Sequence, residues 1–516
     1  MNQFVFLVPI FSWLAALWIA LGLMFSKTDW LKREKISYYL SLISSGLALL
    51  LLLVIDIVAL FSDASSYVVM GEWFSSGQYV LLISFLLNPS ALAIATLFTL
   101  IAFLTIHFSA NYMHREKGFH RFFMVINLFI GAMSLIILGG NLVMVFVGWE
   151  LAGISSYLLI GYVMDRPLAT KHATRALVTN RIGDAGLILA MFLLFAWVGT
   201  TEWTLVTEKI SSINHFTTGL IALSLLIAAS AKSAVVPFSP WITKALEGPT
   251  PSSTLFYGTL MVHAGVYLLT RMEAILVQSP VILLTLCILG VLTVLYGWLS
   301  GLVQSDIKGS LMFSTTMHIG LMFLWCGLGW FDFALWHLGL HTSWRAFQFY
   351  FSPSILQLAN RHADVVPDWL SKNDWLYNAA VQRLWVEQFG DAMMAAPIKK
   401  LAEDAQIFEK KVVEPFIGLP EQTHAVSSMA DWEDKLAGIR GSSSNIGKGE
   451  GLFGFFLETV AGAMHWFEEN WVLRGSGEGL LNFLQRLGTY LTHIDYLICQ
   501  PRYLLIMIIL TFIIIV

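Results

Sequence analysis

LLIAASAKSAVVPFSPW, residues 225–241, is an apolar run fit to enter a bilayer, yet it carries Lys232 and then two prolines, Pro237 and Pro240. Proline lacks a backbone donor and clashes with the carbonyl one turn back, so no regular helix runs through this stretch. Freed backbone groups at membrane depth are tolerated where they line protein or a polar cavity, which makes a lysine on a broken intramembrane helix a candidate ion site. A second run, VFVGWELAGISSYLLIGY (145–162), holds Glu150 with no other charge within a dozen residues on either side. A charge inside a span costs at least about 2.5–3.5 kcal/mol on insertion scales, so both residues point to function. A buried ammonium and a buried carboxylate suggest a pair whose separation would load or unload a proton.

The composition agrees. Of 516 residues, 57% are hydrophobic and 12% charged, against about 25% charged in soluble domains, and mean hydropathy is +0.71. An ordinary soluble protein is excluded, as are disordered and collagen-like chains. The net charge of −4, from 30 basic and 34 acidic residues, offers no footprint for nucleic acid. Cys287, Cys326 and Cys499 stand far apart without metal-type spacing, which argues against a disulfide framework or a zinc site in this chain.

Apolar runs place spans near 2–25, 36–61, 81–110, 120–139, 141–163, 176–198, 218–238, 252–270, 279–302, 310–330 and 333–356. The first has no basic residues before it and is too long for a secretion signal, so it reads as a retained span. Basic residues gather in loops after odd-numbered spans (Lys27, Lys32, Arg33, Lys35, Arg115, Lys117, Arg121, Arg166, Lys171, Arg175, Lys244, Lys308 and Arg361), while the other loops hold only Lys209 and Arg271. The positive-inside rule then puts the amino terminus outside and the chain after 357 in the cytoplasm. From 357 to 499 charges interrupt every apolar run. Segments Leu376–Leu401 and Leu452–Glu469 read as surface-lying amphipathic helices, with a Gly/Ser linker at Gly438–Gly451. Residues 500–516 close the chain as a short membrane anchor. The expected organisation is therefore an all-α polytopic membrane protein of about 12 transmembrane helices, with a bundle over 1–356, an interfacial region over 357–499 and an anchor over 500–516.

The other ionisable residues of the apolar segments are Asp56, Asp184, Asp306, His263, His318, His337, His341 and Arg345. His337, His341 and Arg345 recur every four residues and so share one helix face. Two histidines on one helix lack a third metal ligand and the HExxH glutamate; proton relay or polar packing fits them better, since imidazole both accepts and donates a proton near neutral pH. His263 and His318 stand alone, and a satisfied packing residue is the stronger reading for each, with a functional role second.

GWELAGISSYLLIGY (148–162), TNRIGDAGLILA (179–190), AKSAVVPFSPWITKALEGPTPSS (231–253) and LVQSDIKGSLMFSTTMHIGLMF (302–323) together resemble the large antiporter-like membrane subunit of respiratory complex I, whose fold also serves Mrp-type sodium/proton antiporters. The likeness covers about residues 80–356. It implies inverted five-helix repeats with discontinuous helices and a buried proton path. Residue by residue, it implies that Glu150 and Lys232 form the coupled pair, that Asp184 is the polar residue of the sixth span, that His337 and His341 are the histidines of the eleventh, and that Asp306 and Lys308 of the DIK motif belong to the path. In LFYGTLMVHAGVY (255–267) Tyr257 stands where the family has a relay histidine, and His263 follows six residues later; Arg345 stands where the family has a lysine. The family's later spans do not follow Ser354, so the second repeat is incomplete.

That shortened form is most similar to the membrane subunit of the two-component DAB-type inorganic carbon accumulation system of bacteria. The resemblance implies an ion path, with protons as the expected ion, in a non-enzymatic subunit of the inner membrane, coupled to CO2 and bicarbonate uptake by a large soluble zinc-containing partner similar to carbonic anhydrases; zinc belongs to the partner and none to this chain. The alternatives are a proton-translocating subunit of an NADH-quinone oxidoreductase-like complex and a cation/proton antiporter.

Overall fold

The computed structural model describes residues 2–25, 34–61, 66–76, 79–258, 261–358 and 366–390, with isolated positions at 392, 404, 408, 460 and 462–464. The elements are α1 (Leu7–Phe25), α2 (Glu34–Phe61), β1 (Tyr67–Ser76), β2 (Tyr79–Leu86), α3 (Pro89–Tyr112), α4 (Phe119–Leu138), α5 (Leu142–Ile160), α6 (Pro167–Trp197), α7 (Trp203–Lys209) and α8 (His215–Lys232). They continue as α9 (Pro240–Lys244), α10 (Thr250–Tyr257), α11 (Ala264–Arg271), α12 (Glu273–Leu276), α13 (Pro280–Gly301), α14 (Ile307–Gly327), α15 (Phe331–Leu358), α16 (Asp368–Ser371), α17 (Asp374–Val381) and α18 (Val386–Gly390).

Nine helices among the described residues are long and apolar enough to cross a membrane: α1 to α6, α8, α13 and α14. Helix α15 has the length, 28 residues, but Asp332, His337, His341 and Arg345 lower its hydropathy. Helix α4 is buried almost all round, packed between α1 and α5, and its buried polar residues bond within the bundle, as Asn127 does to Ser41 Oγ. Side-chain caps set where several helices start. Asn88, Asn141 and Asn214 accept from the backbone N–H three residues on, at 3.1, 2.8 and 2.7 Å, each such cap contributing about 1 kcal/mol.

Two expected spans differ from the structure. Residues 81–86 are not the beginning of the third span; they lie in β2, which pairs antiparallel with β1. Pro89 restrains Asn88 from helical geometry, so the helix cannot start earlier, and the apolar residues before it pair as a strand instead. The hairpin is fastened by Glu202, whose buried carboxylate accepts from Tyr67 Oη, from Ser84 Oγ at 2.8 Å and from Asn141 Nδ2 at 2.9 Å. Burial away from any cation pushes this carboxyl above its ordinary range. The second difference is the expected span 252–270, which divides into α10 and α11. At the division a Cβ on Gly258 would stand 2.8 Å from Ala346 Cα of α15, so α10 ends where another backbone crosses it.

The compact unit of the bundle extends from Met1 to Phe389, past residue 356, because α16 to α18 pack beside α13; Trp369 stacks on Trp298 with ring centroids 5.5 Å apart. Of the surface helix expected over Leu376–Leu401, the described part is two helices, α17 and α18, separated by a turn. The helix expected over Leu452–Glu469 lies almost wholly outside the described residues, and the linker and the 500–516 anchor lie outside them.

Candidate functional site

The break foreseen at Pro237 and Pro240 is present. Helix α8 ends at Lys232, Ala234 turns the chain with a φ of 52°, and Pro240 starts α9. The carbonyl of Ala231 receives Ala234 N–H at 3.3 Å in place of its regular helical donor and also accepts from the Trp241 indole at 2.9 Å, and Val236 N–H donates to Thr293 Oγ1 of α13 at 3.1 Å. Backbone opened by the break is thus satisfied from the protein itself. The hydroxyls of Ser230, Ser233, Ser239 and Ser253 are buried with no hydrogen-bond partner among the described residues.

Lys232 is 1% exposed. Its Nζ donates to the Trp149 carbonyl at 3.0 Å and lies 5.1 Å from the centre of the Trp149 ring, a cation–π contact that gains strength when desolvated. The Trp149 indole donates to Asp184 Oδ1 at 3.1 Å, Arg181 Nε approaches Asp184 Oδ2 at 3.4 Å, and Arg181 Nη1 meets Glu150 Oε2 at 2.6 Å. Two cations and two carboxylates therefore balance along one line, Lys232, Trp149, Asp184, Arg181, Glu150. Lys232 and Glu150, the coupled pair implied by the resemblance, stand at the two ends of this line and are not in direct contact. No carboxylate among the described residues lies within 4.0 Å of Lys232, because Arg181 on α6 takes Glu150. Helices α6 and α8 meet closely through Gly183, where a Cβ would stand 2.7 Å from that of Ala231.

Arg181 and Trp149 were not singled out from sequence. The signal for Arg181 was present in TNRIGDAG, an arginine three residues before an aspartate inside an apolar span; that for Trp149 was not, since its backbone carbonyl and indole both act.

The four histidines converge. His337 Nε2 lies 2.9 Å from His318 Nδ1, and His263 Nε2 lies 3.0 Å from His341 Nδ1; the His318 and His341 rings are 4.5 Å apart. Neighbours fix the direction of both bonds. The Trp325 indole donates to His337 Nδ1 at 3.2 Å, so neutral His337 carries its hydrogen on Nε2 and donates to His318. Arg345 Nη2 and Nε point at His341 Nε2 from 3.3 and 3.4 Å, so neutral His341 carries its hydrogen on Nδ1 and donates to His263. Arg345, itself buried, also donates to Ser314 Oγ at 2.7 Å, and no carboxylate among the described residues is within 4.0 Å of it. No three of the His, Cys, Asp and Glu side chains described are placed as metal ligands.

The remaining expected residues lie elsewhere. Tyr257 donates to the Ile242 carbonyl of α9 at 2.8 Å and stacks on Phe349, tied to the far half of the broken helix rather than to the histidines. Lys308 donates to Thr250 Oγ1 at 2.5 Å, at the start of α10. Asp306 is an exposed N-cap of α14, accepting from Gly309 N–H at 2.6 Å, and the structure does not bring it to the buried line. Asp56 accepts from Thr96 between α2 and α3 at 2.7 Å.

A cavity of about 870 Å³ opens beside the hairpin, lined among others by Glu208, Arg271, Glu273, Gln278 and Asp332. Burial, with the like charge of Asp332 behind it, pushes the Glu273 carboxyl up. Two elements walling the cavity lead inward to the histidines: α11 starts next to His263, and His337 is five residues, about 7.5 Å, along α15 from Asp332.

Residues 139–366 match the family described as NADH:quinone oxidoreductase/Mrp antiporter, transmembrane, and residues 73–123 that described as NADH-ubiquinone oxidoreductase (complex I), chain 5 N-terminus. The chloroplastic NAD(P)H-quinone oxidoreductase subunit 5 of Spinacia oleracea is 32% identical over 372 residues, 71% of this chain and 50% of that protein. The same subunit of Marchantia polymorpha is 33% identical over 361 residues, 69% of this chain and 52% of its own. The chain thus spans about half the length of these curated relatives. Among solved structures, a chain of the Mrp complex from Dietzia sp. DQ12-45-1b superposes with a TM-score of 0.61 at 23% identity, covering 70% of this chain and 39% of that one. A chain of the archaeal membrane-bound sulfane sulfur reductase does so with a TM-score of 0.60 at 18% identity, covering 67% and 70%. At these identities the likeness is one of fold.

Proposed function

We propose, on the premise that the chain belongs to the antiporter-like family of complex I and Mrp membrane subunits, that it conducts protons and couples their movement to work in a multi-subunit membrane complex. The observation that carries this reading is the pair of directed histidine hydrogen bonds lying between a polar cavity and a helix broken at a buried lysine.

Protons enter from the cavity, which the distribution of basic loop residues places outside. One accepted at His337 Nδ1, in place of the Trp325 indole hydrogen bond, lets His337 release its Nε2 hydrogen to His318 Nδ1. His318 then gives its Nε2 hydrogen to His341 Nε2, once Arg345 withdraws toward Ser314, and His341 gives its Nδ1 hydrogen to His263 Nε2. Each ring gains one proton and loses one, so charge passes from α14 and α15 to α11 without a ring being left doubly protonated. Gly265, two residues past His263, packs on Ser233 beside Lys232; an unpartnered buried hydroxyl there suits a bridging water. Lys232, once it has released its own proton onward, accepts this one, and the line through Trp149, Asp184, Arg181 and Glu150 holds the countercharge. Arg345 serves as a fixed gate, since a guanidinium does not give up its proton.

The names of the curated relatives favour a subunit of a quinone oxidoreductase-like complex, and the family description also covers a cation/proton antiporter. The finer reading, an inorganic carbon uptake complex with a zinc-containing, carbonic-anhydrase-like partner in a bacterial inner membrane, is supported by the charge-interrupted sequence over 357–499 that follows α15. Purification in mild detergent separates them. A co-purifying zinc chain and CO2-dependent growth of a deletion strain support carbon uptake, whereas iron–sulfur and quinone subunits support the redox complex. For either, the assembled complex in liposomes should take up protons under an imposed potential, followed with a pH-sensitive dye; no uptake above protein-free liposomes overturns the conduction reading.

A further inference from the structure

Residues Arg383, Leu384 and Trp385, between α17 and α18, all have positive φ, 56°, 53° and 53°, and none is glycine. L-residues enter this region singly and rarely, and a run of three persists only when its surroundings over-determine it. The surroundings are the far half of the broken helix and its neighbours. Arg383 Nη1 donates to Thr243 Oγ1 of α9 at 3.2 Å, and its guanidinium lies 5.7 Å from the centre of the Phe313 ring of α14. Two residues past the turn, Glu387 Oε1 takes both Arg175 of α6, at 3.0 Å, and Lys244 of α9, at 3.4 Å. The left-handed turn thus touches α9 and α14, and the carboxylate two residues beyond it joins α6 to the last residue of α9.

We propose that the Arg383–Glu387 turn is a clasp that fixes α9 against α6, and that Glu387 and Arg383 are positioning residues for the broken helix. The route is short. Helix α9 carries Trp241, whose indole holds the Ala231 carbonyl, and Ala231 precedes Lys232; it also carries Ile242, whose carbonyl holds Tyr257. A displacement of α9 therefore reaches the backbone next to the buried lysine through one hydrogen bond. Exposed ion pairs contribute little by themselves. Here one carboxylate closes two of them at the end of a turn that cannot form without support. Because the chain continues from Gly390 directly after the clasp, whatever engages the later residues has a mechanical route to the break. That last step, the effect on proton movement, rests on the conduction reading above.

The test is hydrogen–deuterium exchange on the full assembled complex in nanodiscs, read by mass spectrometry. Glu387→Gln should raise the exchange rate of peptides covering 238–250 about threefold or more, leaving the α4 peptides unchanged, and Glu387→Asp should restore part of the protection. Trp385→Gly gives the opposite sign: glycine suits a left-handed position, so exchange over 238–250 should stay level or slow, whereas faster exchange would mean an ordinary surface helix and overturn the clasp. Unchanged exchange in Glu387→Gln also overturns it. Proton uptake by the same samples separates the two claims. Absence of uptake in the wild type removes the conduction reading but not the clasp, while altered exchange with unaltered uptake in Glu387→Gln removes the coupling role.

Discussion

The two buried polar regions use opposite chemistry. Around the break between α8 and α9, full charges stand in line, and each is compensated by a carbonyl, an aromatic face or an opposite charge. Across α11, α14 and α15, neutral rings stand in hydrogen-bond contact, and the single cation, Arg345, has no carboxylate within 4.0 Å among the described residues. A region of balanced charge can change its state only by moving a charge or a proton, at high energy cost in a low-dielectric interior. A region of imidazoles can exchange protons along the hydrogen bond within each pair, with Arg345 displaced at the junction between the pairs. On the conduction reading proposed above, the first region stores protons and the second passes them.

Four substitutions break or sharpen this contrast. Lys232→Met removes the stored charge and should reduce proton uptake to the level of protein-free liposomes, with the complex still eluting intact. His341→Phe interrupts the only junction between the two histidine pairs described and should slow uptake about 100-fold, the usual scale for loss of a proton-transferring side chain. Residual uptake near wild type would mean that protons bypass the cluster.

Glu150→Gln and Arg181→Gln each leave a partner uncompensated and should slow uptake about tenfold. The double variant should recover part of that loss, since neither charge is then orphaned; strictly additive losses would separate the pair from the storage line. The smallest effect lies outside both regions, at the hairpin. Folding raises the Glu202 carboxyl above its unfolded value of 4.5, so the folded state binds the proton more tightly. That stabilisation is complete below pH 4.5 and is lost as pH rises through the folded value. Glu202→Gln, which keeps an acceptor without the charge, should therefore raise the melting temperature at neutral pH by about 2 °C, with the gap closing below pH 4.5. A gap that widens on acidification would reverse the assignment.

How far the sequence carries this account depends on the range of the interactions. Lys232, Glu150, Asp184 and the histidines were legible because a charge or imidazole in an apolar run is costly wherever the run folds. Pro237 and Pro240 located the break for an equally local reason. Arg181 as the partner of Glu150 was hidden because the two helices meet only in three dimensions, and Trp325 and Ser314 had no signal at all, being ordinary residues that fix a neighbour's hydrogen. Residues 81–86 misled because an apolar run reads alike as strand or span until Pro89 is given weight. Asp306 is the reverse case: an aspartate just before a helix is a cap by local rule, and the DIK motif drew attention away from that plainer role.

The central claim is that Lys232 carries a transferable proton rather than a fixed charge. Lys232→Arg tests it most directly, because a guanidinium can keep the positive charge, the donor to the Trp149 carbonyl and the contact with the Trp149 ring, yet does not release its proton. Dye-monitored proton uptake by liposomes bearing the intact complex should fall to background in Lys232→Arg, as in Lys232→Met. Uptake by the arginine variant at the wild-type rate would show that a fixed charge is sufficient and would contradict the account.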